Sequence, residues 1–161
     1  SWNSKNFNKI VSREISFVQD NHSKSYYGVV RGLHYQKKLN GQAKLIRVLS
    51  GKILDVIVDI RTNSSTFKEW AVIEISKENR RQVWIPEGFA HGFLTTSKKA
   101  EVCYKTNNFW NKESERTIIW NDKNLNIDWN LINLSLKNPL LSKKDLAGKS
   151  FKELYQKGDL F

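Results

Sequence analysis

The sequence predicts an all-β fold, an antiparallel barrel or sandwich of the jelly-roll kind, on three observations. Short apolar runs with period-two alternation fill the middle of the chain. Tight-turn residues separate them, and helical pattern is confined to the ends. In chain order, Asn6–Val11 has the pattern of one or two short helical turns, and Ile15–Gln19 is the first predicted strand. Gly28–Gln36, Ala43–Leu49 and Lys52–Arg61 follow, with Ser50-Gly51 as a hairpin turn between the last two. In Lys52–Arg61, Leu54, Val56, Val58 and Ile60 share one face while Asp55 and Asp59 share the other, the pattern of a half-buried strand. Glu69–Ile75 and Gln82–Ile85 are next, and Pro86-Glu87-Gly88 marks another turn. Gly92–Thr96, Ala100–Thr106 and Thr117–Trp120 complete the strands. Two capping patterns near the C-terminus, Ser142 with Asp145 and Ser150 with Glu153, predict short helices.

The 161 residues fit a single domain with a substantial core. No run of 18 apolar residues is present, which excludes a membrane-spanning helix of that length, and no signal-like segment precedes the fold. The lone Cys103 has no internal disulfide partner, so a reducing cytoplasm is the expected location. Met is absent even at position 1, from which a preceding N-terminal piece is expected. With 27 Lys and Arg against 16 Asp and Glu, the net charge is +11. Such a charge fits a polyanionic partner, nucleic acid or a phosphorylated small molecule, or simply solvated lysines. The cations are spread without a block of five, and no stripe interleaves them with aromatic residues, so nucleic-acid binding is not expected.

Gly28-Val-Val-Arg-Gly32 lacks the spacing of a dinucleotide loop. The three histidines, His22, His34 and His91, include no pair at i, i+2 with a nearby Glu, so no metal site is expected. His34 lies in Arg31-Gly32-Leu33-His34-Tyr35-Gln36, where strict alternation puts Arg31 and His34 on opposite faces unless Gly32 hosts a bulge. Read from that segment alone, His34 is more often a hydrogen-bonded structural residue than a catalytic one. His91, between Ala90 and Gly92 after a tight turn, suits either a barrel mouth or a packing role. Tyr104 shares a face with Val102 and Thr106, which also suits core packing. Lys44 shares a face with Ile46 and Val48, an uncomfortable place for an ammonium. Asp145 has a second explanation as a carboxylate at a helix N-terminus.

Taken together, Phe17–Ser23, Arg31–Gln36, Lys44–Val48, Gly51–Arg61, Ser65–Phe67, Trp84–Phe93, Tyr104–Thr106, Trp120–Asp122, Ile127–Trp129 and Leu141–Asp145 resemble the dTDP-4-dehydrorhamnose 3,5-epimerase family almost end to end. The resemblance implies a cupin-type jelly roll with short C-terminal helices and a strand-exchanged homodimer. It implies no cofactor, and a dTDP-linked 4-keto-6-deoxyhexose as substrate. It implies one epimerase domain over residues 1–161 that lacks the family's N-terminal strand, and it departs from the family at Asn130, where Pro is usual. By position, His34 resembles the general base, Asp145 the carboxylate that orients it, and Tyr104 the acid on the opposite face. Lys44 and Arg31 match cations around the sugar. His91, Glu115 and Lys144 match further substrate-lining positions, and Gln19, Asp20 and Asn21 a nucleotide-contacting stretch.

The chemistry implied suits those residue types. A C–H beside a ketone is acidified by stabilising the enolate oxygen, and one well-placed donor contributes about 3–4 kcal/mol. A histidine accepts a proton near neutrality, and a protonated tyrosine returns one from the far face. Two alternatives stay open: epimerisation of a single carbon, and a 3,4-ketoisomerase. A non-catalytic basic nucleic-acid-binding module is a third, from a different class.

Overall fold

The structure, a computed structural model, describes residues 2–129, 136 and 138–161; Asn130 lies outside them. Among the described residues, nine strands form two antiparallel sheets. One has the order β1-β8-β3-β6, from Gln19–Tyr26, Lys99–Thr106, Lys44–Ser50 and Gln82–Ile85. The other has the order β5-β4-β7-β2-β9, from Trp70–Ser76, Lys52–Asp59, Phe89–Thr95, Val30–Gln36 and Glu115–Thr117. Helix α1 spans Ser4–Val11, α2 Lys143–Leu146 and α3 Phe151–Gln156. This is the predicted all-β jelly roll, and no helix among the described residues is long and apolar enough to cross a membrane.

Two apolar cores hold the sheets. Between them lie Ile46, Val48, Ile53, Ile75, Val83, Ile85, Phe93, Ala100 and Val102, contributed by six strands. Behind the five-stranded sheet, Val30, Leu33, Val56, Val58, Ile60 and Leu94 pack against the C-terminal Phe151, Leu154 and Leu160. The five-stranded sheet is thus covered on both faces, and this corrects the expectation for Lys52–Arg61. Leu54, Val56, Val58 and Ile60 do share a face, but Asp55 and Asp59 are also buried, at 0% and 1% exposure. A charged face in a doubly covered strand meets protein rather than water.

Strand β1 begins where the predicted Ile15–Gln19 strand ends. Residues 14–18 are irregular, Phe17 packing with Phe7, Trp2 and Trp84 in an aromatic group with centroids 5.2–6.2 Å apart. The ladder with β8 runs instead from Gln19↔Thr106 to Tyr26↔Lys99. Its inward residues are Gln19, Asn21, Ser23 and Ser25, so apolar periodicity carries no sign of it. The predicted Thr117–Trp120 strand is displaced to Glu115–Thr117, after which Ile118 makes a single bridge to Lys149. Both predicted caps are present: Ser142 accepts from the Asp145 N–H and Ser150 from the Glu153 N–H, each at 3.2 Å.

Candidate active site

A cavity of about 280 Å³ opens between the sheets. The five-stranded sheet lines one wall with Arg31, His34, His91 and Glu115; the four-stranded sheet lines the other with Gln19, Asn21, Lys44 and Tyr104. His34 and Tyr104 therefore approach the same space from opposing walls. In the four-stranded sheet, Tyr104 stands between Asn21 and Ile46, and Lys44 stands beside Thr106, so Lys44 is a diagonal neighbour of Tyr104.

Arg31 and His34 share the wall because the β2–β7 register shifts between them, as the glycine suggested. Gly32 has φ +108°, and a Cβ there would stand 2.6 Å from the His91 carbonyl oxygen. Only glycine permits this close approach of backbones. The His34 Nε2 donates to Asp145 Oδ1 at 2.6 Å, and the same oxygen accepts from the Gly32 N–H at 3.1 Å. The Ser142 hydroxyl donates to Oδ2 at 2.6 Å, so the residue that caps α2 also holds the carboxylate. Asp145 is buried, which alone would raise its pKa, yet the hydrogen bonds from His34 and Ser142 bring it down to about 2. Burial lowers the His34 pKa against the opposing pull of Asp145. Both explanations of Asp145 hold at once: it is a first-turn carboxylate and the partner of the imidazole.

Burial brings Lys44 down to about 8, opposed by the charges of Asp55 and Glu115. Its Nζ donates a long hydrogen bond, 3.4 Å, to the His34 carbonyl. Burial raises the Tyr104 pKa, with Arg31 acting against it. Arg31 is held by the Ser25 hydroxyl and the Lys24 carbonyl, at 2.9 and 3.2 Å. At the mouth, Lys144 pairs with Glu115, and Gln19 donates to the Asn21 side chain at 2.8 Å.

Ten of the eleven candidate residues thus line this cavity or, like Asp145, bond to its wall. Asp20 does not: alternation along β1 turns it to the other side of the sheet, where it pairs with Lys105 at 3.2 Å. Three residues at or beneath the cavity, none of them among the candidates, bear on its chemistry. Ser23 lines the wall with a buried hydroxyl that has no hydrogen-bond partner among the described residues. Trp110 stands half exposed at the mouth and bonds to Glu115. Asp55, beneath the floor, accepts from His91 Nε2 at 2.7 Å. The sequence carries no usable signal for Asp55, because a carboxylate alternating with apolar residues reads as the solvent side of a half-buried strand. Among the described residues, no cluster of three or more His, Cys, Asp or Glu suits a metal ion.

Comparisons with known proteins converge on one family. The family model for dTDP-4-dehydrorhamnose 3,5-epimerase matches residues 1–153. A relative of that name from Shigella flexneri is 54% identical over 151 residues, 94% of this chain and 81% of its own length. A solved 3,5-epimerase from Legionella pneumophila, in complex with dTDP-4-keto-L-rhamnose, is 43% identical, with a TM-score of 0.91 over 99% of this chain and 82% of that one. A 3'-monoepimerase from Streptomyces bikiniensis, in complex with dTDP-quinovose, has a TM-score of 0.91 at 27% identity, covering 99% and 78%.

Proposed function

The chain belongs to the dTDP-4-dehydrorhamnose 3,5-epimerase family, a family of isomerases, and from that premise we propose how its cavity epimerises C3 and C5 of dTDP-4-dehydro-6-deoxy-D-glucose. The observation that carries this reading is an imidazole–carboxylate pair on one wall and a phenol on the facing wall, with a buried lysine beside the phenol.

Asp145 occupies Nε2 of His34, leaving Nδ1 to take the proton from the carbon beside the ketone. The C–H electron pair moves toward C4 and its oxygen becomes the enolate oxygen. The Lys44 ammonium donates to that oxygen as charge develops, a contribution of about 3–4 kcal/mol for one fixed donor. The Tyr104 hydroxyl then delivers a proton to the opposite face of the carbon, inverting it, and the imidazolium and phenolate reset by exchange with water. C3 and C5 both flank C4, so a single donor to the C4 oxygen serves both inversions. Arg31, Gln19, Asn21, His91, Glu115 and Lys144 bind the substrate in this reading. No cofactor enters the scheme.

One epimerase domain spans the chain in this reading and works as a homodimer, and the lone Cys103 fits a reducing cytoplasm. The exposed Leu49 on the outer side of the four-stranded sheet gives a partner subunit apolar surface to cover. Epimerisation at one carbon is the second reading, favoured by the likeness to the Streptomyces bikiniensis monoepimerase; the higher identity to the Shigella and Legionella enzymes favours two.

In deuterated water, substrate incubated with the protein incorporates deuterium at both C3 and C5, and His34→Ala abolishes the exchange. NMR of the recovered sugar nucleotide makes the measurement. Label at one carbon supports the second reading, and no exchange overturns both.

A further inference from the structure

Strand β4 carries one carboxylate into the space between the sheets, and the proton-transfer scheme leaves it unused. Asp55 is fully buried, flanked along its strand by the inward Ile53 and Ile57. Its Oδ1 accepts from His91 Nε2 at 2.7 Å, which fixes the carboxylate's orientation. Among the described residues, its Oδ2 has no hydrogen-bond partner. A buried carboxylate oxygen left bare is strongly disfavoured unless a nearby positive charge compensates it.

Lys44 is the complementary case. Buried on β3, its ammonium has three donors, and its hydrogen bond is a long one to a backbone carbonyl. Charged and titratable groups face it from every neighbouring element. Asp55 from β4 and Glu115 from β9 attract it; Lys144 from α2 repels it. His34 from β2, His91 from β7 and Tyr104 from β8 share its cavity. Glu115 is already bonded to Lys144 and Trp110. Asp55 is therefore the anion facing Lys44 that still has an unclaimed oxygen.

We propose that Asp55 is a positioning residue, the counter-ion that keeps the Lys44 ammonium charged and directed at the ketone oxygen. The proposal rests on the epimerase reading of the same cavity. Burial pushes Lys44 toward its neutral form, and a neutral amine beside an enolate oxygen loses most of its stabilising power. The charge of Asp55 opposes that loss, acting through Lys44 and touching no reacting atom.

The test is the pH dependence of kcat/KM for epimerisation of dTDP-4-dehydro-6-deoxy-D-glucose by the full chain and by Asp55→Asn. In the wild type, loss of the Lys44 proton sets an alkaline limb near pH 8. In Asp55→Asn that limb moves down by at least about one pH unit, so that activity at pH 8 falls at least about fivefold more than activity at pH 6. Lys44→Arg, with a guanidinium that stays protonated, abolishes the limb. A purely structural role for Asp55 lowers the rate by one factor at every pH and leaves the limb in place, and that result overturns the proposal. If Asp55→Asn does not fold, Asp55→Ser, which makes room for water, carries the same expectation. A wild type inert toward the substrate refutes the epimerase reading itself, whereas an active wild type with an unmoved limb in the variant refutes the role of Asp55 alone.

Discussion

Desolvation acts on the two facing side chains in opposite and complementary senses. It raises the Tyr104 pKa, so the phenol keeps its proton, and lowers that of His34, so the imidazole is free to accept one. In the proposed scheme, burial thus favours the base role of His34 and the acid role of Tyr104 before any substrate arrives. Tyr104→Phe tests the division of labour: it leaves the His34 face intact, so deuterium still enters the substrate from solvent while the inverted sugar is not formed. Product formation at the wild-type rate in that variant takes Tyr104 out of its role. Lys44 could be singled out in the sequence because an ammonium is out of place on an apolar strand face, whereas His34 and Tyr104, which suit structural roles there, stood out only through the family resemblance. Ser23 and Trp110 could not, since a serine in a polar strand and an aromatic in a loop are ordinary there.

A glycine decides whether β2 brings Arg31 and His34 to one wall. Gly32 lets the backbones of β2 and β7 touch and adds the residue that turns both Arg31 and His34 inward. In Gly32→Ala the new methyl meets the His91 carbonyl at 2.6 Å and the Gly92 Cα at 2.7 Å, so the strands separate. We expect a stability loss of about 1–3 kcal/mol by denaturant titration together with loss of epimerase activity. A variant as stable and active as the wild type would show that the bulge does not depend on glycine. The bulge was legible as a possibility because strict alternation failed to bring Arg31 and His34 together. Strand β1 was not, because hydrophobic periodicity marks a strand by its burial in a core, and the inner face of β1 borders a polar cavity instead. For the same reason Asp55 read as a solvent residue: sequence alone does not reveal that the C-terminal segment covers the other face of its sheet.

Across the whole molecule, the second core and one end of the barrel meet at Asp59. Its carboxylate takes the Arg61 guanidinium at 2.7 and 2.9 Å and the hydroxyls of Ser64 and Thr66 at 2.6 Å each. The hydrogen bonds from Arg61, Ser64 and Thr66 hold its pKa far below the ordinary carboxylate range despite burial. Because the folded-state pKa is depressed, the stabilisation is complete above the unfolded value of about 4 and is lost as pH falls through the folded one. Asp59→Asn is expected to cost about 2–3 kcal/mol at neutral pH, and the melting temperatures of wild type and variant should converge in acid. A gap that stays constant down to pH 2 would contradict the assignment. Beside this cluster runs the segment that follows all nine strands, tied in by the Phe161 N–H donating to the Ile60 carbonyl. That one stretch supplies both Asp145, partner of the imidazole, and the apolar side chains that seal the five-stranded sheet. On the ribosome it emerges after every strand, so a nascent barrel holds its histidine without a carboxylate to orient it. Competence to move protons is then acquired in the same late docking event that completes the hydrophobic interior, and a chain that stalls short of it is idle as well as incompletely folded.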